Sequence, residues 1–177
     1  MTVTLEGRRP LVAEVQSLLT PSAGGSPRRT VSGVDAARVN MLLAVLQRRA
    51  RFALAQDDCY VATVGGVRLS EPASDLAVAV AVASAKLSAP VPQGMIAVGE
   101  LGLAGEVRPV PGIGRRVREA ARLGFTRALV PRSPEPLGDV PAGFTVAEVG
   151  SIGEALATIP TWTGGGPAAH PEAGPGR

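Results

Sequence analysis

Histidine, cysteine and lysine each occur once in these 177 residues, as His170, Cys59 and Lys86. One cysteine allows no internal disulfide and no multi-cysteine zinc site. Followed by Tyr60-Val61-Ala62, it reads as a small buried hydrophobe. One histidine, set in a Gly/Pro-rich tail, leaves no Ser-His-Asp or Cys-His site. The lone lysine does not belong to a Gly-x-x-x-x-Gly-Lys-Ser/Thr phosphate loop, so this chain by itself is not expected to be an ATPase or to hold a cofactor or metal. Aromatic residues are few, with three Phe, one Tyr and one Trp. The core must therefore be built from Val, Leu, Ile and Ala, which suits a layered α/β domain. No apolar run approaches the roughly 18 residues of a membrane span. The start, Met1-Thr2-Val3-Thr4-Leu5-Glu6, lacks the basic and apolar regions of a signal peptide. A cytoplasmic protein without membrane partners is the expectation.

What the chain does have is arginine. Of 18 basic residues all but Lys86 are Arg, against 15 acidic ones. A GC-rich genome and a functional demand account for that bias equally well. The clusters are more telling: Arg8-Arg9, Arg28-Arg29, Arg48-Arg49-Arg51 and Arg115-Arg116-Arg118. Arg28 and Arg29 lie in a Gly/Ser/Pro loop, as solvated charge or as bidentate phosphate contacts. Arg48, Arg49 and Arg51 close a helix, where the dipole alone accommodates them or DNA engages them. Arg115, Arg116 and Arg118 open a helix against the dipole. They need compensation from Glu119, an acid of a neighbouring subunit, or a nucleic-acid phosphate.

Leu11 to Leu19 partly alternates and predicts a strand. A Gly/Pro loop follows, and Ser32 or Asp35 caps a helix through about Arg49 with Val39, Leu42, Leu43 and Leu46 on its apolar face. Cys59 to Val64 reads as a strand. Leu76 to Ala85 carries both a strand-like alternation and an alanine-rich helical composition, and the helix is preferred. Met95 to Val98 is a strand, and Gly105 to Val110 returns as a hairpin near Glu100 and Glu106. Those two glutamates read as hairpin charges or an intersubunit pair, since no third ligand supports a metal. Arg115 to Leu123 is a helix closed by Gly124. Ala128 to Pro131 and Phe144 to Val149 are strands, and Ser151 caps a last helix to Ala157. One domain over residues 1–159 and a disordered Gly/Pro tail over 160–177 are expected.

The segment Gly65-Gly66-Val67-Arg68-Leu69-Ser70-Glu71-Pro72-Ala73-Ser74-Asp75-Leu76 has the outline of a nucleophile turn: a glycine pair, a polar loop, a proline and a small-residue helix start. Within it Arg68 can pair with Glu71 or Asp75. Together with Gly99-Glu100-Leu101-Gly102, Gly105-Glu106-Val107-Arg108-Pro109-Val110-Pro111 and the Arg118 to Pro131 stretch, it resembles the proteolytic domain of the Lon family. Glu6-Gly7-Arg8-Arg9-Pro10-Leu11 and Ser26-Pro27-Arg28-Arg29 make it more similar to the Lon-like C-terminal domain of the RadA (Sms) family of bacterial DNA repair proteins. The resemblance covers roughly residues 5 to 158. It implies an α/β (α+β) fold like the Lon proteolytic domain, with mixed sheets packed by helices.

Lon-type peptidases use a serine activated by a lysine. The resemblance places the serine at Ala73 and the lysine at Gly114, so both halves of the dyad are missing. Ser74 points about a quarter-turn away, and Lys86 lies about three helical turns beyond it. No catalytic residue and no peptidase activity are expected. The resemblance instead implies a repair and recombination role, with Arg28, Arg29, Arg48, Arg49, Arg51, Arg115, Arg116 and Arg118 contacting single-stranded or branched DNA without sequence preference. It implies self-association into a hexameric ring, a RecA-type recombinase as a further partner, and branch migration by the whole protein. ATP, Mg and Zn would belong to regions outside this chain. The alternatives are a Lon-like serine peptidase with a relocated Ser74-Lys86 dyad and a protein-interaction adaptor.

Overall fold

A computed structural model describes residues 1–7, 9–133 and 137–162. The chain opens with β1 (Thr2–Glu6), β2 (Arg9–Ala13), β3 (Val15–Pro21), β4 (Arg29–Ser32), α1 (Ala36–Arg49) and β5 (Asp57–Thr63). After the turn come α2 (Asp75–Leu87), β6 (Met95–Ala97), β7 (Glu100–Leu101), β8 (Val107–Arg108), α3 (Ile113–Arg122), β9 (Arg127–Pro131), β10 (Thr145–Val149) and α4 (Ile152–Trp162). Helices and strands alternate in layers, as the aliphatic composition required.

Leu11 to Leu19 is two strands rather than the one expected. The backbone changes sheets at Glu14: β2 pairs with β1, whereas β3 joins β5 in a three-stranded sheet of order β3-β5-β4. β1 was not foreseen, although Thr2, Val3 and Thr4 are all buried. The second three-stranded sheet is parallel, in the order β10-β9-β6. It is covered on both faces, so Ala128, Leu129 and Val130 are all inaccessible to solvent. Leu129, Met95 and Ala97 face the larger core under α1 and α2. Ala128, Val130, Ile96 and Val98 face a smaller core with Val117 and Ala120 of α3.

α1 forms where the pattern placed it. Asp35 accepts from the Arg38 N–H at 2.7 Å, and Val39, Leu42, Leu43 and Leu46 are buried. Each such aliphatic side chain stabilises the fold by about 1.5–3 kcal/mol. Asp35→Ala is expected to lower the unfolding free energy by about 1 kcal/mol, measured by urea titration. Leu76 to Ala85 is helical and Gly124, at φ +88°, closes α3. The last helix runs beyond Ala157 and across the boundary expected at residue 160, ending at Trp162. The remainder of the expected tail, 163–177, lies outside the described residues.

Candidate functional site

The glycine pair turns the chain out of β5, with Gly65 at φ +72° and Gly66 at φ +71°. Leu69 is tied back through its N–H to the Gly33 carbonyl at 2.8 Å. Pro72 opens a short 3-10 turn, Pro72–Ser74, that runs into α2. Ala73 is only 2% exposed, and its carbonyl accepts from the Gly99 N–H at 2.8 Å. It belongs to the smaller core and has no reacting group. Ser74 is also buried and donates its hydroxyl to the Glu71 carbonyl at 3.0 Å. Lys86 lies at the far end of α2, with Nζ 2.5 Å from Asp57. Twelve residues of helix separate Ser74 and Lys86 by about 18 Å, so the structure does not bring them together. At Gly114 there is no space for a side chain, because a Cβ would lie 2.3 Å from the Leu137 carbonyl oxygen.

Two ion pairs clamp the turn. Glu71 receives Arg116 Nη1 at 2.6 Å, Arg116 Nη2 at 2.8 Å and the Leu5 N–H at 2.8 Å. Burial opposes its ionisation, but hydrogen bonds from Arg116, Thr4 and Leu5 prevail and hold the carboxyl below the usual glutamate range. Four residues on, Asp75 receives Arg38 Nε at 2.6 Å and the Leu101 N–H at 3.0 Å. Burial pushes its carboxyl up, and Arg38 and Leu101 pull it back. Glu71 and Asp75 are thus engaged by Arg116 and Arg38, not by the Arg68 expected beside them. Glu100 lies 3.7 Å from both Arg38 and Arg108, and Arg108 also pairs with Glu106. The two hairpin glutamates therefore serve pairs within the chain. Among the described residues no cluster of potential metal ligands occurs.

The arginines divide into three groups. Arg116 is corrected: it is 1% exposed and inside the protein, donating to Glu71, to the Val3 carbonyl at 2.6 Å and to the Pro111 carbonyl at 3.2 Å. A buried guanidinium with those partners does not reach a phosphate. Arg115 and Arg118 flank it on the exposed side of α3. Arg28 precedes β4, Arg29 opens it, and Arg48, Arg49 and Arg51 lie at and just past the end of α1; because β4 and β5 run parallel, α1 carries the chain back toward the end where both strands begin. Arg28, Arg48, Arg49 and Arg51 are exposed there. Arg29 faces partly inward, donating Nη2 to the Leu54 carbonyl at 3.1 Å and Nη1 to that of Asp57. It holds the loop that follows Arg51. Arg49 donates Nε to the Leu103 carbonyl at 3.3 Å, and Gly105 presses against its stem, where a Cβ would lie 3.0 Å from Arg49 Cβ. Sequence reasoning did not single out Arg38. Its signal was weak, a polar residue in the first turn of an otherwise ordinary amphipathic helix.

A family model described as subunit ChlI of Mg-chelatase matches residues 44–134, just over half of the chain. The chain belongs to this ChlI family. That match spans the last turns of α1, the clamped turn and α3. Over a longer stretch the resemblance expected from the motifs is borne out. A Mycobacterium tuberculosis protein named DNA repair protein RadA is 54% identical over 156 residues, which is 88% of this chain and 32% of that protein. The protein of the same name from Mycolicibacterium smegmatis is 50% identical over 90% of this chain and 33% of its own length. That of Streptococcus pyogenes serotype M6 is 45% identical over 90% and 35%. The chain spans about a third of the length of these relatives. No helix among the described residues is long and apolar enough to cross a membrane.

Proposed function

We propose that this chain is a Lon-type domain without peptidase activity that serves a RadA-type DNA repair protein as an assembly scaffold and a DNA-contacting surface. The DNA contact is supported by the exposure of Arg28, Arg48, Arg49 and Arg51, together with the return of α1 toward the end of the sheet where β4 and β5 begin. The naming of the relatives as DNA repair proteins supports the same reading. Guanidinium groups pair with phosphate oxygens and release counterions, which gives affinity with little sequence preference. With so few aromatic side chains, base stacking contributes little, and branched DNA held by its backbone is the substrate class. In the whole protein this domain would help set a hexameric ring acting in branch migration beside a RecA-type recombinase. ATP, magnesium and zinc would be held elsewhere in that protein.

Fluorescence anisotropy with duplex and branched DNA across a salt series tests the contact. Log affinity is expected to fall linearly with log salt. Arg28→Ala, Arg48→Ala and Arg51→Asn are each expected to lower that slope by about one. Asparagine is chosen at Arg51 because its φ is +59°. Arg29 and Arg49 are unsuitable, since both brace the fold. Absence of binding at low salt, or a triple variant with the parent's affinity and slope, would sink the DNA-contact reading.

A further inference from the structure

Leu103 is 68% exposed, the most exposed of the large apolar side chains among the described residues. Single exposed aliphatics are common on protein surfaces, so exposure alone says little. The backbone beneath this one is fixed, however. Gly102-Leu103-Ala104-Gly105 is a tight turn between β7 and β8, closed by the Gly105 N–H on the Gly102 carbonyl at 2.9 Å, and Gly105 takes the left-handed step at φ +87°. Leu103 and Ala104 are its corners, and both are exposed. Below them the Gly102 N–H donates to the Glu106 carbonyl at 2.9 Å, the Val107 N–H to that of Gly150 at 2.9 Å, and the Ile152 N–H to that of Gly105 at 2.8 Å. The Glu106 carboxylate lies against Gly102 and leaves no room there for a side chain. The tip is also joined to α1, since the Leu103 carbonyl accepts from Arg49 Nε at 3.3 Å and Gly105 packs on the Arg49 stem. It therefore carries its apolar side chain beside the end of α1, where Arg48, Arg49 and Arg51 are exposed.

We infer that Leu103 is an apolar wedge that enters between bases where the strands of branched DNA part, while the neighbouring arginines hold the phosphates. The inference rests on the DNA contact proposed above and names what that contact distinguishes, a junction from continuous duplex. Charge selects the occupant. The two carboxylates of the hairpin are taken, Glu100 by Arg38 and Arg108 and Glu106 by Arg108, so the tip offers guanidinium and hydrocarbon outward. Guanidinium meets phosphate, and leucine is among the side chains that part a base step. In continuous duplex such a wedge must break stacking, whereas at a junction the stack is already interrupted, so the contact favours the branch. A turn tied at both feet suits this task, because insertion orders no loop.

Two readouts on this chain test it: 2-aminopurine placed at the junction reports unstacking, and fluorescence anisotropy reports affinity for branched and duplex DNA. Binding is expected to raise the 2-aminopurine fluorescence, with branched DNA bound about tenfold more tightly than duplex. Leu103→Ser is expected to remove both the rise and the preference. Duplex affinity, salt slope and circular dichroism should stay unchanged, because Leu103 lies outside the core and carries no charge. Leu103→Met keeps an apolar tip and should retain the rise and the preference. Binding with the expected salt slope, but with Leu103→Ser matching the parent on branched DNA, overturns the wedge and leaves the arginine contact standing. Absence of binding to either DNA at low salt overturns the arginine contact and the wedge with it.

Discussion

Glu71→Ala is expected to reduce the unfolding free energy by about 3–5 kcal/mol, a large part of what a domain of this size possesses. The cost comes from what is left behind. The Arg116 guanidinium is 1% exposed, and without Glu71 its charge sits inside the protein with carbonyl oxygens alone. The reverse substitution should be milder. Arg116→Met removes the buried charge itself, leaving a carboxylate that is 25% exposed and still receives the Leu5 N–H. A loss of about 1–3 kcal/mol is expected there. The double variant should be more stable than Glu71→Ala, because the stranded charge is gone. Urea unfolding of the three proteins measures the asymmetry, and equal losses in the two single variants would contradict it. The pH dependence follows from the same pair. Glu71 has a depressed carboxyl in the folded state, so its contribution is complete above the usual glutamate value of about 4.3 and is lost as pH falls through the lower folded value. The parent should therefore lose stability more steeply in acid than Glu71→Gln.

Rebuilding the dyad as Ala73→Ser with Gly114→Lys is expected to yield a protein that a serine-directed covalent probe does not label. Position 114 is where the attempt fails. Its Cβ would overlap the Leu137 carbonyl oxygen at 2.3 Å, and backbone, unlike a side-chain tip, does not step aside cheaply. Gly114→Ala alone should cost about 1–3 kcal/mol, seen as a fall of several degrees in Tm. A labelled double variant, accompanied by an unchanged Tm for Gly114→Ala, would show that the missing dyad is a matter of two side chains. The expected result makes it a matter of backbone as well.

Much of the fold was legible because its signals are local. Asp35, the 39/42/43/46 stripe, Gly124 and the short aliphatic strands each declare themselves within a few residues. The sheet change at Glu14 was not legible, since one strand interrupted and two strands joined have the same alternation. The helix past Ala157 was missed because the Gly/Pro-rich stretch from residue 160 was read as a disordered tail. At the candidate site, the motif marked Ala73 and Gly114 as the positions where the dyad of the resembled family would stand. Arg116 was misread as surface charge. Ile113, Val117 and Ala120 mark the buried stripe of α3, and Arg116 stands within it at helical spacing. A charged residue on that stripe announces a buried partner, though nothing in the sequence says that the partner is Glu71. That α1 returns toward the end of the sheet near Arg28 is a tertiary fact, set by the parallel pairing of β4 with β5.

The β7–β8 hairpin touches α1 at both ends. Glu100 meets Arg38 in its first turn, and the Leu103 carbonyl meets Arg49 in its last. A helix fastened to one element at two points cannot tilt or slide without breaking one of them. The end of α1 that carries Arg48 and Arg49 is therefore held in position by the fold itself. Under the proposed DNA contact, a phosphate backbone would meet a helix end already held in place, which would reduce the ordering cost of association. The hairpin acts as a brace for that helix end.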